Sequence, residues 1–320
     1  MQQALLLWII SLLYGGQAML TELWGSVWAH LFFLLRPMLK WVLNRVTGKC
    51  ELLRITYQYS QGAERTHSIE DSLKQSKRSE LNQLTIEEST NISNAVLQVM
   101  RVKNIIPEVH PQFENSFRTC LLQICGYREL LTDVEQLRKT KYTSDNPEHE
   151  QTLMHLWKLL MPDDELQTRV SEQWKFIGFQ GNNPQTDFRG MGLLGLHQLI
   201  HFASKYNPEA RKILQKSHHP KLGYSYAIVG INMTDLVYDL LKKGHMKTHF
   251  YNKICGKATM EEFHEVYCHV FYEFNKFWYS ENPKDIMEFG QIREKYQKKL
   301  VHSLKQPNTV LVSGFQKRND

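Results

Sequence analysis

Residues 260–279 read MEEFHEVYCHVFYEFNKFWY and have the clearest structural period in this chain. Apolar side chains recur there at every third or fourth position, which places them on one face of an α-helix. That face consists of Phe263, Val266, Tyr267, Val270, Phe271, Phe274 and Trp278. Aromatic faces of this kind are far more often packed in a core than arranged as a ligand cage, so the stretch predicts a long buried helix.

The same period occurs on both sides of this stretch. One stripe contains Phe117, Leu121, Ile124, Leu131, Val134 and Leu137, and a later one contains Ile286, Phe289, Ile292, Tyr296 and Leu300. Residues 144–148 have the composition of a helix start, and Pro162 is expected to end the helix that follows. Thr234 and Gly244 are expected to bound a short helix over residues 234–243. No convincing run of alternating strand residues is present, so the predicted fold class is all-α.

The composition is that of a packed globular protein. Of the 320 residues, 42% are hydrophobic and 22% are charged. The net charge of +6 is too small to indicate nucleic-acid binding. The five scattered cysteines do not form a disulfide framework and fit a reducing cytosol. Cys120 and Cys125 have no second Cys-x-x-Cys pair, so no structural zinc site is predicted.

Residues 1–43 differ from the rest of the chain. They contain two uncharged apolar stretches, each shorter than the roughly 20 residues of a membrane span, and four of the seven tryptophans. Tryptophan favours the membrane–water interface, and the basic residues Lys40, Arg45 and Lys49 follow the second apolar stretch. We therefore expect a membrane anchor or an interfacial helix pair; the alternative is an N-terminal helix packed on the domain. The expected location is the cytosolic face of an intracellular membrane, such as the endoplasmic reticulum, the Golgi or a lipid droplet, with a part in the cytoplasm.

Four segments follow from these patterns. They are a hydrophobic segment over residues 1–43, an N-terminal helical region over residues 44–110, the main helical domain over residues 111–305 and a flexible tail over residues 306–320.

The stretch most unlike a core helix is residues 174–199, WKFIGFQGNNPQTDFRGMGLLGLHQL. Its glycines permit close backbone approach, and Asp187 and Arg189 lie among them. Asp187 is expected to cap a helix beginning near Phe188, or to hold Arg189 by a charge-assisted hydrogen bond. On the residues alone, a structural ion pair in a tight packing site is the commoner explanation. The alternative is an arginine finger, because a guanidinium is always charged and forks onto phosphate oxygens.

Residues 174–199 resemble the signature of the ELMO (engulfment and cell motility) domain family. The pattern Trp-x3-Gly-Phe-Gln-x3-Pro-x-Thr-Asp-Phe-Arg-Gly-x-Gly-x2-Gly-Leu-x2-Leu is matched at every fixed position. Further likeness lies in residues 47–52, 121–124, 142–147, 219–221, 223–232 and 274–278, so the resemblance covers about residues 45–305. It implies a single helical ELMO domain preceded by the hydrophobic segment.

The resemblance also implies a function. Short proteins of this family activate GTP hydrolysis on Arf and Arf-like small GTPases, and their essential arginine corresponds to Arg189. The chain is thus expected to be an enzyme activator rather than an enzyme, with roles in small-GTPase signalling and membrane traffic. No cofactor or metal of its own is expected, since GTP and Mg²⁺ are held by the GTPase. The alternative is a non-catalytic adaptor that binds a GTPase or another signalling partner.

The supporting residues are also assigned by the resemblance. Asp187 and Gln180 would orient Arg189 or its loop. Trp174, Phe179 and Phe188 would anchor the loop in the core, while Gly190, Gly192 and Gly195 would let it turn and pack. Separately, His197 and His201 lie four residues apart and could share a helix face, but no third ligand is evident, so no metal site is predicted there.

Overall fold

The computed structural model describes residue 38, residues 40–86 and residues 91–316. The chain divides into two compact units, Met1–Gln58 and Tyr59–Asp320. In the described part of the first unit, residues 40–47 are helical and helix α1 spans Glu51–Gln58. The predicted membrane segment over residues 1–43 lies almost wholly outside the described residues. Among those that are described, no helix is both long enough and apolar enough to cross a bilayer.

The second unit is built from helices throughout its described part. They are α2 (Ala63–Lys74), α3 (Ser79–Gln83), α4 (Ile92–Val102), α5 (Pro111–Lys139), α6 (Pro147–Leu160), α7 (Gly192–Lys205), α8 (Asn207–Ser217), α9 (Tyr226–Lys242), α10 (Lys247–Lys253), α11 (Met260–Glu281) and α12 (Phe289–Leu304). Three short 3₁₀ segments span Glu172–Ile177, Pro184–Arg189 and Ile286–Glu288. The described residues contain no β-strand, which confirms the all-α prediction.

Helix α7 lies at the centre of this unit. Its sequence, GLLGLHQLIHFASK, is apolar on nearly every side, and a helix of that kind is stable only when neighbours surround it. Helices α5, α6, α8, α9 and α11 all pack against it. Leu194, Leu196, Leu199 and Phe202 are each fully buried in these contacts. Because Arg189 precedes α7 by three residues, the core helix sets where that arginine lies.

The helix boundaries confirm most of the start and stop signals expected from the sequence. The Asn146 side chain accepts a hydrogen bond from the Glu148 amide, and Pro147 begins α6. Helix α6 ends at Leu160, before Pro162. The helix expected at residues 234–243 is wrong at its start, since α9 begins at Tyr226. Thr234 lies within α9, where its hydroxyl donates to the Gly230 carbonyl instead of capping a helix.

Gly230 explains why the sequence pattern missed the first half of α9. A glycine inside a helix disfavours it by about 1 kcal/mol relative to alanine, so residues 226–233 look like a poor helix. In the fold, a Cβ at this position would lie 2.5 Å from Leu199 Cδ2 of the central helix. The glycine therefore permits α9 to approach α7 closely, and tertiary packing outweighs the local preference.

Residues 311–316 pack on the helical unit, which differs from the flexible tail that the sequence predicts for residues 306–320. Leu311 and Phe315 are buried, and the Phe315 ring lies 4.8 Å from the ring of Tyr206 and 4.6 Å from that of Tyr272. The Leu311 amide donates to Nδ1 of His249, and the Gln316 side chain donates to the Glu265 carbonyl. Apolar side chains spaced along a non-helical segment carry no period, so the pattern did not reveal this contact.

We expect the protein to lose stability in mild acid because of buried neutral histidines. Burial lowers the pKa of His249 to about 3, that of His264 to about 3 and that of His269 to about 4. Below the ordinary value of 6.5, the unfolded chain therefore takes up protons before the folded one does. The contribution of these histidines to the free energy of unfolding should be constant above pH 6.5 and fall between pH 6.5 and 4, by about 1.4 kcal/mol per pH unit for each histidine. Urea unfolding at several pH values measures this slope.

His249→Asn is the matched variant for that measurement. His249 must be neutral at Nδ1 because that atom accepts the Leu311 amide. Asparagine keeps an acceptor near this position but does not titrate. The variant should be less stable at neutral pH and should show a slope smaller by about 1.4 kcal/mol per pH unit. An unchanged slope would contradict the assignment.

Candidate functional site

Residues 178–192, here called the arginine loop, begin at a glycine that no other residue can replace without strain. Gly178 has φ +85°, in the left-handed region. A Cβ there would lie 2.7 Å from the Ser225 carbonyl carbon and would also collide with the Tyr226 amide. The Gly178 carbonyl accepts a hydrogen bond from the Ile228 amide at 3.2 Å. The start of α9 thus fixes the entry of the loop, a role the sequence analysis did not assign to Gly178.

A ladder of buried aromatic rings holds the loop on the core. The Trp174 ring lies 5.5 Å from Trp157 and 5.8 Å from Phe179, and Phe179 lies 5.6 Å from Phe188. Phe188 in turn lies 5.4 Å from the ring of Tyr142. These are edge or tilted arrangements, which ring quadrupoles favour. Trp174, Phe179 and Phe188 therefore occupy the core positions expected of loop anchors.

A polar network lies under the first half of the loop. Asn183 caps the Pro184–Arg189 segment by accepting from the Gln185 amide, and it also accepts from Nη2 of Arg169 at 3.2 Å. Arg169 is paired with Glu150, which accepts the Tyr142 hydroxyl as well. Burial, the largest single effect, raises the pKa of Glu150, but the hydrogen bonds from Arg169 and Tyr142 and the nearby positive charge together outweigh it, so the pKa is lowered. Sequence reasoning missed this network because its members are up to 41 residues apart along the chain.

Asp187 and Gln180 are brought together, but not in the way expected. The Asp187 carboxylate neither caps a helix nor forms a hydrogen bond with Arg189. Its Oδ2 accepts from the Gln180 backbone amide at 3.0 Å, so it closes the loop across seven residues. Burial raises the pKa of Asp187, against the lowering effects of this hydrogen bond and of the Arg189 charge. The Gln180 side chain is exposed, and Gln180 contributes through its backbone.

Arg189 is exposed at the last position of the Pro184–Arg189 segment. Its Nε donates to the Thr186 carbonyl at 2.8 Å, which fixes the root of the guanidinium. Within the described residues, Nη1 and Nη2 have no hydrogen-bond or ion-pair partner. The side chain therefore presents two free donor groups on a loop whose base is buried. Such a fork suits two oxygens of an incoming carboxylate or phosphate.

The three glycines after Arg189 differ in how closely other atoms surround them. Gly192 has φ +53°, and a Cβ there would lie 2.5 Å from the Thr140 carbonyl oxygen and collide with that of Arg138. A Cβ at Gly195 would be in ordinary contact with Met191, Phe188 and Ile231. Gly190 has αR geometry, and no atom of the described residues lies within 4 Å of where its Cβ would be. The expected packing role therefore does not apply to Gly190.

Asp187 offers a test that separates an acceptor from a charge. Asp187→Asn keeps an oxygen that accepts the Gln180 amide but removes the negative charge. We expect this variant to keep its stability and the loop conformation, whereas Asp187→Ala should lose about 1 kcal/mol of unfolding free energy. Urea unfolding of the two variants measures the difference. Equal losses in both would mean that the charge, and not the hydrogen bond, is what the loop requires.

The cluster of His201, Glu261 and Glu265 is the arrangement closest to a metal site among the described residues. Their ligand atoms lie within 4.8 Å of one another, but His197, which the sequence pattern paired with His201, is not a member of the cluster. Lys205 already occupies this position, however, with Nζ 2.6 Å from Glu261 and 2.9 Å from Glu265. Its ammonium supplies the positive charge that a metal would bring. We therefore assign the cluster to an ion-pair network between α7 and α11.

Comparison with known proteins places these features in a family. The ELMO/CED-12 family model matches residues 132–293, which include the whole arginine loop. ELMO domain-containing protein 2 of Bos taurus is 50% identical over 282 residues, covering 88% of this chain and 95% of that protein. ELMO domain-containing protein 1 of Pongo abelii is 46% identical over 294 residues, covering 87% and 90%.

A more distant relative extends the same likeness. ELMO domain-containing protein B of Dictyostelium discoideum is 34% identical over 266 residues, covering 82% of this chain and 92% of that protein. No solved structure matches the chain. The family model and the length of these alignments agree with the motif carried by the arginine loop, and the chain belongs to the ELMO/CED-12 family.

Proposed function

We propose that this protein activates GTP hydrolysis on Arf or Arf-like small GTPases and that Arg189 is its catalytic arginine. The observation that carries the proposal is the exposed Arg189 guanidinium, with both terminal nitrogens free among the described residues and its root held by Thr186. Membership of the ELMO/CED-12 family supports an interaction with small GTPases. The match at every fixed position of the family's arginine motif supports the narrower activity.

The chemistry requires little else from this chain. During hydrolysis, negative charge develops on the γ-phosphoryl oxygens and on the leaving oxygen, in a site already holding Mg²⁺ on the GTPase. An arginine inserted from a partner neutralises that charge in a water-excluded site, where it has most effect. Fixing its root beforehand reduces the conformational entropy lost on insertion. Nucleotide and metal remain with the GTPase, so the proposal assigns no cofactor to this chain.

A panel of Arf and Arf-like GTPases tests the proposal. Each is loaded with GTP and mixed with the full chain under single-turnover conditions, and phosphate release is followed. At least one member should be accelerated, by about 10³-fold or more at saturation if the arginine acts in trans. If the folded protein binds a GTPase from the panel without accelerating hydrolysis, it is an adaptor and the activation proposal fails.

A further inference from the structure

We propose that Arg138 is a positioning residue that sets the place of the arginine loop, an inference that rests on the proposed GTPase activation. Arg138 lies in the last turn of α5, 51 positions before Arg189. Its Nη1 donates to the Gly190 carbonyl at 3.4 Å, directly after Arg189 in the chain. This is a long hydrogen bond, as contacts around a catalytic group commonly are before the partner binds.

Arg138 is itself held on two sides. Glu135 accepts from its Nε and from its Nη2, both at 2.8 Å, which is a two-bond fork along one edge of the guanidinium. The guanidinium carbon lies 4.9 Å from the centre of the Tyr238 ring of α9, a cation–π contact. Because Glu135 engages one edge of the guanidinium and Tyr238 one face, Nη1 is the nitrogen that remains to contact the loop. Arg138 thereby links α5, α9 and the arginine loop.

The backbone of the same turn contacts the exit of the loop. The Thr140 carbonyl accepts from the Leu193 amide at 2.9 Å. Gly192 lies so close to the Arg138 and Thr140 carbonyls that no Cβ would fit between them. Among the described residues, the Arg189 side chain forms a hydrogen bond only to the Thr186 carbonyl, which lies within the loop. The placement of its backbone relative to the core on the exit side therefore depends on the last turn of α5, and Arg138 supplies the side-chain contact there.

The test is a double-mutant cycle on a GTPase that the wild-type protein accelerates. Arg138→Met keeps an apolar stem over Tyr238 but removes every hydrogen bond of the guanidinium. The maximal rate should fall roughly tenfold, since about 1.4 kcal/mol of lost coupling gives that factor, while the half-saturating concentration stays within about twofold. In the Arg189→Ala background, Arg138→Met should cause no further loss, because its effect is exerted through Arg189. Arg138→Lys keeps a positively charged donor, so its maximal rate should lie between that of wild type and that of Arg138→Met.

Arg118→Met is the matched control. Arg118 also lies on α5 and pairs with a glutamate one turn away, but its contacts are to Glu114 and Ser93, not to the loop. It should leave the maximal rate unchanged, and all variants should keep cooperative thermal unfolding. An effect of Arg138→Met that persists in the Arg189→Ala background, or one confined to the half-saturating concentration, would overturn the proposal. If wild type accelerates no GTPase, the proposed function fails first, and this outcome is distinct from both.

Discussion

Arg189→Ala should abolish nearly all GTPase activation, lowering the maximal single-turnover rate by about 10³-fold or more, which is about 4 kcal/mol of transition-state stabilisation. Arg189→Lys should lose almost as much. Lysine keeps the positive charge but is a single point donor, whereas the two free nitrogens of Arg189 form a planar fork. Both variants should still bind the GTPase, because the finger acts mainly in the transition state.

The stability of these variants separates a catalytic role from a structural one. Arg189 is exposed and donates one intraloop hydrogen bond, so its replacement should change the free energy of unfolding by less than about 1 kcal/mol. Arg211→Lys is a suitable control, because Arg211 is an exposed arginine on α8 with an ion pair to Asp163. It should activate like wild type. Full activity in Arg189→Lys would show that a charge suffices and that no fork on phosphate oxygens is needed.

Gly192→Ala should be the most damaging methyl group that can be added to the exit of the arginine loop. The substitution places a side chain in the left-handed region at φ +53° and drives its Cβ into the Arg138 and Thr140 carbonyls. Left-handed geometry costs about 1–2 kcal/mol and overpacking about 1–3 kcal/mol, so we expect a loss of about 2–5 kcal/mol in unfolding free energy. Because the displaced backbone lies three residues from Arg189, activation should fall as well.

Gly190→Ala is the control for that experiment, two positions away in the same loop. Its backbone is αR, and no atom of the described residues lies within 4 Å of the added methyl. Alanine reduces the conformational freedom of the unfolded chain there, so this variant should be unchanged or more stable by about 0.4–1 kcal/mol. Urea unfolding of the two variants provides the comparison. Equal effects at positions 190 and 192 would mean that the loop relaxes freely and that the close approach to α5 is unimportant.

The candidate site was predicted in part by its residue types. Trp174, Phe179 and Phe188 are buried, as the motif led us to expect. The exposure of Arg189 was not predicted and comes from the structure. The expected hydrogen bond between Asp187 and Arg189 was wrong. Asp187 accepts from the Gln180 amide instead, and this contact depends on how the loop closes and not on the neighbouring charge. Gly190 was grouped with Gly192, since a sequence does not show which glycine faces a crowded backbone.

The all-α class and the apolar faces of the long helices α5, α6, α11 and α12 could be predicted from the sequence, because these depend on a period of three to four residues. The sequence also determined, through its motif, which arginine is the candidate. Other features are visible only in the folded protein: α7 is central, α9 begins at Tyr226 and residues 311–316 pack on the helices. The contacts of Arg138, Arg169 and Gly178 with the arginine loop also belong to this group. Each of these depends on contacts between residues far apart in the chain, and such contacts leave no local period in the sequence.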